Sequence, residues 1–142
     1  MKQLLEAVMA KLEWDVPQLQ WIDMNVGQMY ADDPPVHYPC ALVDISQIRY
    51  ANLTASMQTC EVYVEVTLHF APLNLNGIGT PSPVSVTSLE QYEVAESLYK
   101  ALHGVALGSF SPLSCIEMIR EKEEYPRHIT FTFSCTNEAF FE

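Results

Sequence analysis

Residues 60–70 read Cys-Glu-Val-Tyr-Val-Glu-Val-Thr-Leu-His-Phe, and this stretch decides the fold class. Every even position from Cys60 to Phe70 is apolar, whereas the odd positions are polar apart from the amphipathic Tyr63. Successive side chains of a strand point to opposite faces of a sheet. The pattern therefore predicts a β-strand with one face on a core and the other facing water or a partner. Residues 128–135 alternate in the same way and predict a second strand of this kind.

Two helices and three further strands are predicted around this pair. Residues 2–14 carry apolar side chains at the helical period. The sequence predicts that a second helix begins at Ser88, where Ser88 and Gln91 form a capping box, and closes at Gly104. Its predicted buried stripe consists of Leu89, Tyr92, Ala95, Leu98, Leu102 and Val105. The remaining strands are predicted at residues 18–24, 40–45 and 115–121.

The predicted order of elements is α-β-β-β-α-β-β. Antiparallel strands of the hairpin type, together with two helices, indicate an α+β fold in which the two helices cover one face of an antiparallel sheet. A chain of 142 residues has the size of one ordinary domain, so residues 1–142 are predicted to form a single domain.

The charge of the chain excludes one class of partner. Seven Lys and Arg residues face eighteen Asp and Glu residues, which gives a formal net charge of −11. Tight binding to a phosphate backbone or an anionic membrane requires clustered cations, and here the cations are scattered. The N-terminal segment contains no apolar run long enough for a signal peptide or a membrane span. We therefore expect a cytoplasmic protein that binds neither specific nucleic acid nor membrane.

No catalytic motif is present. Gly77-Ile-Gly79 is a lone pair of glycines without the lysine of a phosphate-binding loop, and no GxSxG motif occurs. The alternation places Cys60 and His128 on opposite faces of the predicted sheet, which argues against a Cys-His pair. The four cysteines are too widely spaced for paired zinc ligands and are interpreted as core thiols. The sequence thus predicts no enzyme, no catalytic residue and no cofactor.

Two long segments and one sheet face are candidate interaction surfaces. Residues 25–39 contain several Pro and Asp residues, residues 71–87 contain several Pro and Gly residues, and long irregular segments tend to be functional. The outward face of the two alternating strands mixes aromatic and hydroxyl groups, which suits a subunit interface as well as an ordinary solvated face. The candidate interface comprises Tyr63, Thr67, His69, Leu73, Leu75, Ile78, Thr130 and Thr132.

Carboxylates form a second candidate group, namely Asp32, Asp33, Glu61 and Glu65. Their simplest role is to solvate a sheet face. The alternative is contact with a structural divalent cation, since such ions prefer several hard oxygen ligands.

The layout resembles a known family. A helix of about a dozen residues precedes a loop that ends in Tyr38-Pro39-Cys40-Ala-Leu-Val. The long alternating strand, the irregular segment, the helix from Ser88 to Leu102 and a closing hairpin follow. This arrangement is similar to that of the tail-terminator and tail-completion proteins of long-tailed bacteriophages, which are often encoded by prophages.

The resemblance implies a structural virion-assembly protein. It implies a hexameric ring that caps the tail tube, joins it to the head, and contacts tail-tube and head–tail connector proteins. DNA would pass through the ring, and an acidic bore that includes Asp32, Asp33, Glu61 and Glu65 would repel its phosphates. The resemblance carries no catalytic residue.

Other functions stay open at this point. The chain suits another head–tail joining component, or a non-viral module that holds a small ligand or peptide between its sheet and helices. A third hypothesis is a metal-assisted hydrolase whose cation is held by Asp32, Asp33 or the segment 121–124.

Overall fold

Two helices and five strands follow one another in the predicted order. The computed structural model describes the backbone of residues 1–71, 83–121 and 128–140, and the side chains of residues 1–71, 89–121 and 128–137. The elements are α1 (Lys2–Asp15), β1 (Trp21–Met24), β2 (Cys40–Asn52), β3 (Met57–His69), α2 (Pro83–Leu102), β4 (Ser114–Glu121) and β5 (His128–Phe140). A short 3-10 helix at Gln28–Tyr30 interrupts the connection between β1 and β2.

The strands form one sheet in the spatial order β1-β2-β3-β5-β4. All neighbouring pairs are antiparallel except β1 and β2, which run parallel. The α+β prediction is therefore confirmed, and the parallel edge is a feature that the sequence did not reveal. A parallel pair needs a crossover of about a dozen residues or more, and the segment 25–39 is long enough to supply it.

Strand β3 lies at the centre of the sheet. It pairs with β5 along its whole length, from Met57 opposite Phe140 to His69 opposite His128. It also pairs with β2, whose strand extends to Asn52, seven residues beyond the predicted end. Side chains opposite one another in these ladders share a face of the sheet. We call the face with the even-numbered residues of β3 the core face, and the other the open face.

Both helices contribute to the core, whose sheet residues lie on the core face. Val62, Val64 and Val66 are completely buried there, as the alternation predicted. Helix α1 contributes Leu4, Leu5, Val8 and Leu12 to the core, and α2 contributes Val94, Ala95, Leu98, Ala101 and Leu102.

The predicted start and stripe of α2 are partly wrong. The helix begins at Pro83 rather than Ser88, and proline suits a first helical turn because its missing N–H would be unbonded there anyway. Residues 83–87 of the predicted loop therefore belong to the helix. Leu89 and Tyr92 are exposed, because Gln91 and Val94 occupy the buried stripe instead. Gly104, with φ of 79°, takes the left-handed conformation expected after the helix end.

Three of the four cysteines are buried thiols, and none of the four forms a disulfide. Cys60 and Cys135 lie in the main core, whereas Cys40 is buried on the opposite face of the sheet. Cys115 is partly exposed at the start of β4. Neither α1 nor α2, as far as the structure describes them, is long and apolar enough to cross a bilayer.

Candidate functional site

The open face has a covered end and an exposed end. At the covered end, Thr67 and His69 are only 7% and 6% exposed, so neither is free surface in this chain, and their predicted place in an interface stays a prediction. Trp21 occupies the same row as Cys40 and His69, and its ring meets that of His37 with centroids 5.5 Å apart. We attribute the burial to the connection 25–39, which carries His37 over this end of the sheet.

His69 is the most constrained polar side chain of the covered end. Its ring lies beside that of His128 on β5, with centroids 5.3 Å apart. Burial, together with the neighbouring His128, lowers the pKa of His69 to about 4. Its Nδ1 atom is buried and has no hydrogen-bond partner in the described part of the chain. The side chain is therefore held neutral at physiological pH.

A hydroxyl pair follows in the next row of the open face. The Oγ1 atoms of Thr67 and Thr130 are 3.3 Å apart and share a hydrogen bond across β3 and β5. The register of β3 and β5 places Thr130 and Thr132 on the same face as Tyr63 and Thr67. Both threonines are half-buried. Whether they contact another protein stays a prediction.

The exposed end begins at Tyr63 and Glu61. The hydroxyl of Tyr63 donates a hydrogen bond of 2.7 Å to Oε1 of Glu61, and this bond raises the pKa of Tyr63. Arg49 on β2 lies opposite Glu61, and its positive charge near Tyr63 opposes part of this rise in the pKa. These three side chains form a local polar network on the long β2–β3 hairpin.

Acidic side chains dominate the open face. Asp44, Glu65 and Glu117 stand in one row with Thr132, on four adjacent strands. In the described part of this face, Arg49 is the one Lys or Arg. The acidic residues of the face are Asp23, Asp44, Glu61, Glu65, Glu117 and Glu121. The predicted pair Glu61 and Glu65 thus belongs to a larger acidic surface, which required the strand register to recognise.

The other predicted acidic residues lie elsewhere. Asp32 and Asp33 are exposed on the connection between β1 and β2, after the 3-10 helix. Within residues 1–71, 83–121 and 128–140, no three His, Cys, Asp or Glu side chains come together as a metal site. The predicted contact with a divalent cation therefore has no geometric support in these described residues. The predicted interface residues Leu73, Leu75 and Ile78, and residues 122–124 of the proposed hydrolase site, lie outside the described residues.

The sheet edges are a feature that the sequence reasoning missed. Strand β4 is the last strand on its side, and Ile116, Met118 and Ile119 on it are 53%, 47% and 46% exposed. Tyr92 on α2 lies next to β4, because the guanidinium of Arg120 is 5.2 Å from the centre of its ring. The exposed Tyr92 ring therefore adds to the apolar surface near this edge.

Two clefts of ligand size accompany the helices. One, of about 520 Å³, lies between α1 and β1 and is lined by residues that include Met9, Leu19 and Trp21. The other, of about 430 Å³, is lined by residues that include Tyr38, Phe70 and Val94. Neither brings a nucleophile and a base together.

Comparison with known proteins finds similarity among solved structures but not in sequence. No family model matches the chain, and no curated protein matches it in sequence. Among solved structures, a chain of the virion of a native gene transfer agent particle has a similar fold, with a TM-score of 0.55 and 16% identity. The match covers 97% of this chain and 96% of that one. The fold of this chain is therefore that of a component of a gene transfer agent virion, along nearly the whole length of both.

Proposed function

We propose that this chain is a structural protein of a phage or phage-like virion, and that it acts as a tail terminator. In this role, copies of the chain form a ring that caps the finished tail tube and joins it to the head. The chain performs no catalysis in this proposal, and it works through its surfaces.

One observation carries the proposal. The fold aligns over 97% of the chain with a protein from a gene transfer agent virion, and that alignment also covers 96% of the virion protein. A match over both full lengths supports a similar part in a particle better than a shared fragment would. The layout of elements that resembles tail terminators points to the same class of protein.

The acidic open face supports the terminator role in particular. A ring at the head–tail junction has to let DNA pass without binding it. Asp44, Glu65 and Glu117 form a row of carboxylates on one face, and such a surface repels phosphate groups. We expect the open face, which also carries Glu61, to line the channel. The acidic wall of the channel would then be formed by the sheet. The role of Asp32 and Asp33 on the connection stays a prediction.

Purified full-length protein tests the proposal. Size-exclusion chromatography with light scattering, at increasing protein concentration and with or without Mg²⁺, should show a defined oligomer. Negative-stain images of that species should show rings with a central opening. A strictly monomeric protein at high concentration under both conditions would contradict the ring, and with it the terminator role.

A second candidate function rests on the cleft of about 430 Å³. Its volume falls in the range of small-ligand sites, and Phe70 and Val94 give it an apolar wall. A binding module of this kind would be a monomer or dimer that is stabilised by a ligand. Thermal shift measurements against a library of small molecules and peptides would support this reading if a monomeric protein gained stability from one of them.

A further inference from the structure

Besides the outer side of the four-residue β1, two longer stretches of sheet edge are left without a partner strand in the described residues. The first is the β4 edge, residues 114–121, on the side of β4 that faces away from β5. The second is the hairpin edge, residues 45–52 of β2, on the side that faces away from β3. Strand β1 pairs with β2 only from Cys40 to Val43, and the amide of Asn25 adds one further bond to the carbonyl of Val43.

Such edges attract other strands because their backbone N–H and C=O groups are available. Proteins commonly block them with prolines, lysines or very short strands. The β4 edge is eight residues long, contains neither Pro nor Lys, and exposes Ile116, Met118 and Ile119. Its beginning is less open, because the register is irregular between Cys115 and Glu117 and the amide of Cys115 already donates a hydrogen bond to Nδ1 of His103. An edge of this kind is typical of a surface that is covered in an assembly.

We infer that the β4 edge of one copy of this chain pairs with the hairpin edge of the next copy, so that the sheets of neighbouring copies join. The inference rests on the proposed function, because it takes the partner to be a second copy of the chain in the proposed ring. It adds which strands form the contact between neighbouring copies. It differs from the sequence-based candidate interface, which lies on the face of the sheet rather than on its edges.

Strand direction is the first argument for a second copy. Strand β4 is antiparallel to β5, β5 to β3, and β3 to β2, so β4 runs antiparallel to β2 within the chain. A second copy placed beside the first in the same orientation therefore offers its β4 antiparallel to the first copy's β2. Each copy uses one β4 edge and one hairpin edge, and this head-to-tail contact repeats until it closes into a ring.

Charge is the second argument. Arg49 is the one charged residue of the hairpin edge, and it lies on the open face. Glu117 and Glu121 lie on the same open face of β4. When the two edges pair, the open faces continue into each other, and Arg49 comes beside a glutamate of the neighbouring copy. Opposite charges at such cross-strand positions favour pairing, whereas like charges oppose it.

Substitutions on each edge test the inference in the full chain. Arg49→Glu places a carboxylate opposite a carboxylate, and Ile119→Lys replaces an exposed apolar side chain of the β4 edge with a lysine, the residue that proteins use to block strand edges. We expect each to weaken assembly about 10-fold or more, measured by light scattering across a dilution series. The matched control is Trp14→Lys, which removes a side chain that is 84% exposed on α1, away from both edges, and should leave assembly unchanged. Circular dichroism confirms that each variant is folded.

Mixing variants supplies the sharper arm. Glu117→Arg and Glu121→Arg are each made as partners for Arg49→Glu, since either glutamate is in reach of the neighbour's Arg49. Each variant alone places like charges at every joint. An equal mixture of Arg49→Glu with the correct partner can alternate around an even-numbered ring, so that every joint has opposite charges. We expect that mixture to regain assembly to within about threefold of the unsubstituted protein.

The outcomes separate this inference from the proposed function. A ring that survives Arg49→Glu and Ile119→Lys overturns the edge joint and leaves the terminator role standing. Loss of assembly with Ile119→Lys but not with Arg49→Glu indicates symmetric β4–β4 pairing, and this result also overturns the proposed joint between the β4 edge and the hairpin edge. Filaments that depend on both edges support the joint but contradict a closed terminator ring. A strictly monomeric unsubstituted protein overturns both.

Discussion

The two faces of the central strand β3 meet different surroundings. On the core face, Val62, Val64 and Val66 are equally and completely buried. On the open face, burial changes along the strand, from the covered His69 to the half-exposed Tyr63 and Glu61. The core face is uniform because both helices contribute to one continuous core. We attribute the gradient along the open face to the connection 25–39, which places His37 beside Trp21 at one end, whereas charged side chains occupy the other end.

The largest expected effect separates the two faces on β5. Phe133 is fully buried on the core face, whereas its neighbour Thr132 is half-buried on the open face. Phe133→Ala should lower the free energy of unfolding by about 3–5 kcal/mol, because it removes buried surface and leaves a cavity. Thr132→Ala should cost less than about 1 kcal/mol. Urea denaturation of both variants measures the difference, and equal losses would mean that the open face carries a second core.

The next effect concerns the covered end and pH. The folded-state pKa of His69, about 4, lies below its ordinary value of 6.5, so the unfolded chain binds the proton first as pH falls. The stability that this side chain contributes is complete above about pH 6.5 and is lost as pH falls toward 4. The loss should reach up to about 3 kcal/mol, since one pKa unit corresponds to about 1.4 kcal/mol.

Substitution isolates this contribution. The curve of unfolding free energy against pH, from urea titrations, should be flatter between pH 6.5 and 4 for His69→Asn than for the unsubstituted protein. An unchanged slope in His69→Asn would show that the covered end does not hold His69 neutral.

A smaller effect is expected for the hydroxyl pair of the covered end. Thr67→Val and Thr130→Val each leave a hydroxyl without the partner 3.3 Å away. The double variant should be less destabilised than the sum of the two, with a coupling of about 0.5–1 kcal/mol in a double-mutant cycle. Additive effects would instead indicate that water satisfies both groups and that this end of the open face is wetter than its burial suggests.

Thiol labelling compares the faces without disturbing them. Cys40 lies on the open face, yet burial raises its pKa to about 11, as it does for Cys135 in the core. We expect iodoacetamide at pH 8 to modify the partly exposed Cys115 first and to reach Cys40, Cys60 and Cys135 only after unfolding. Mass spectrometry of tryptic peptides identifies the site. Early labelling of Cys40 would show that the connection opens readily from the sheet.

The sequence predicted the architecture well because its signals are local. Alternation in residues 60–70 and 128–135 identified both central strands and the face that each turns to the core. The second half of β2 escaped prediction, because Ser46, Gln47 and Arg49 lack an apolar pattern and become a strand only by pairing with β3. The start of α2 was misplaced for a similar reason, since the capping signature at Ser88 lies inside a helix that begins at Pro83.

The candidate site was less accessible from sequence. Periodicity correctly placed Thr67 and His69 on the open face, but we attribute the burial of both to a connection that lies far earlier in the chain, at residues 25–39. The acidic row likewise combines Asp44, Glu65 and Glu117 from three strands, and only the register brings them together. Long-range packing of this kind leaves no trace in the spacing of neighbouring residues.

The full-length pairing of β3 with β5 has a mechanical consequence. A force along the strand axis loads all the hydrogen bonds of this ladder together, in shear, so they must yield at nearly the same moment. A force across the sheet instead separates the strands bond by bond, like a zipper. The molecule is therefore stiffest along β3 and weakest at right angles to it, and a particle under internal pressure withstands tension best when that axis follows the load.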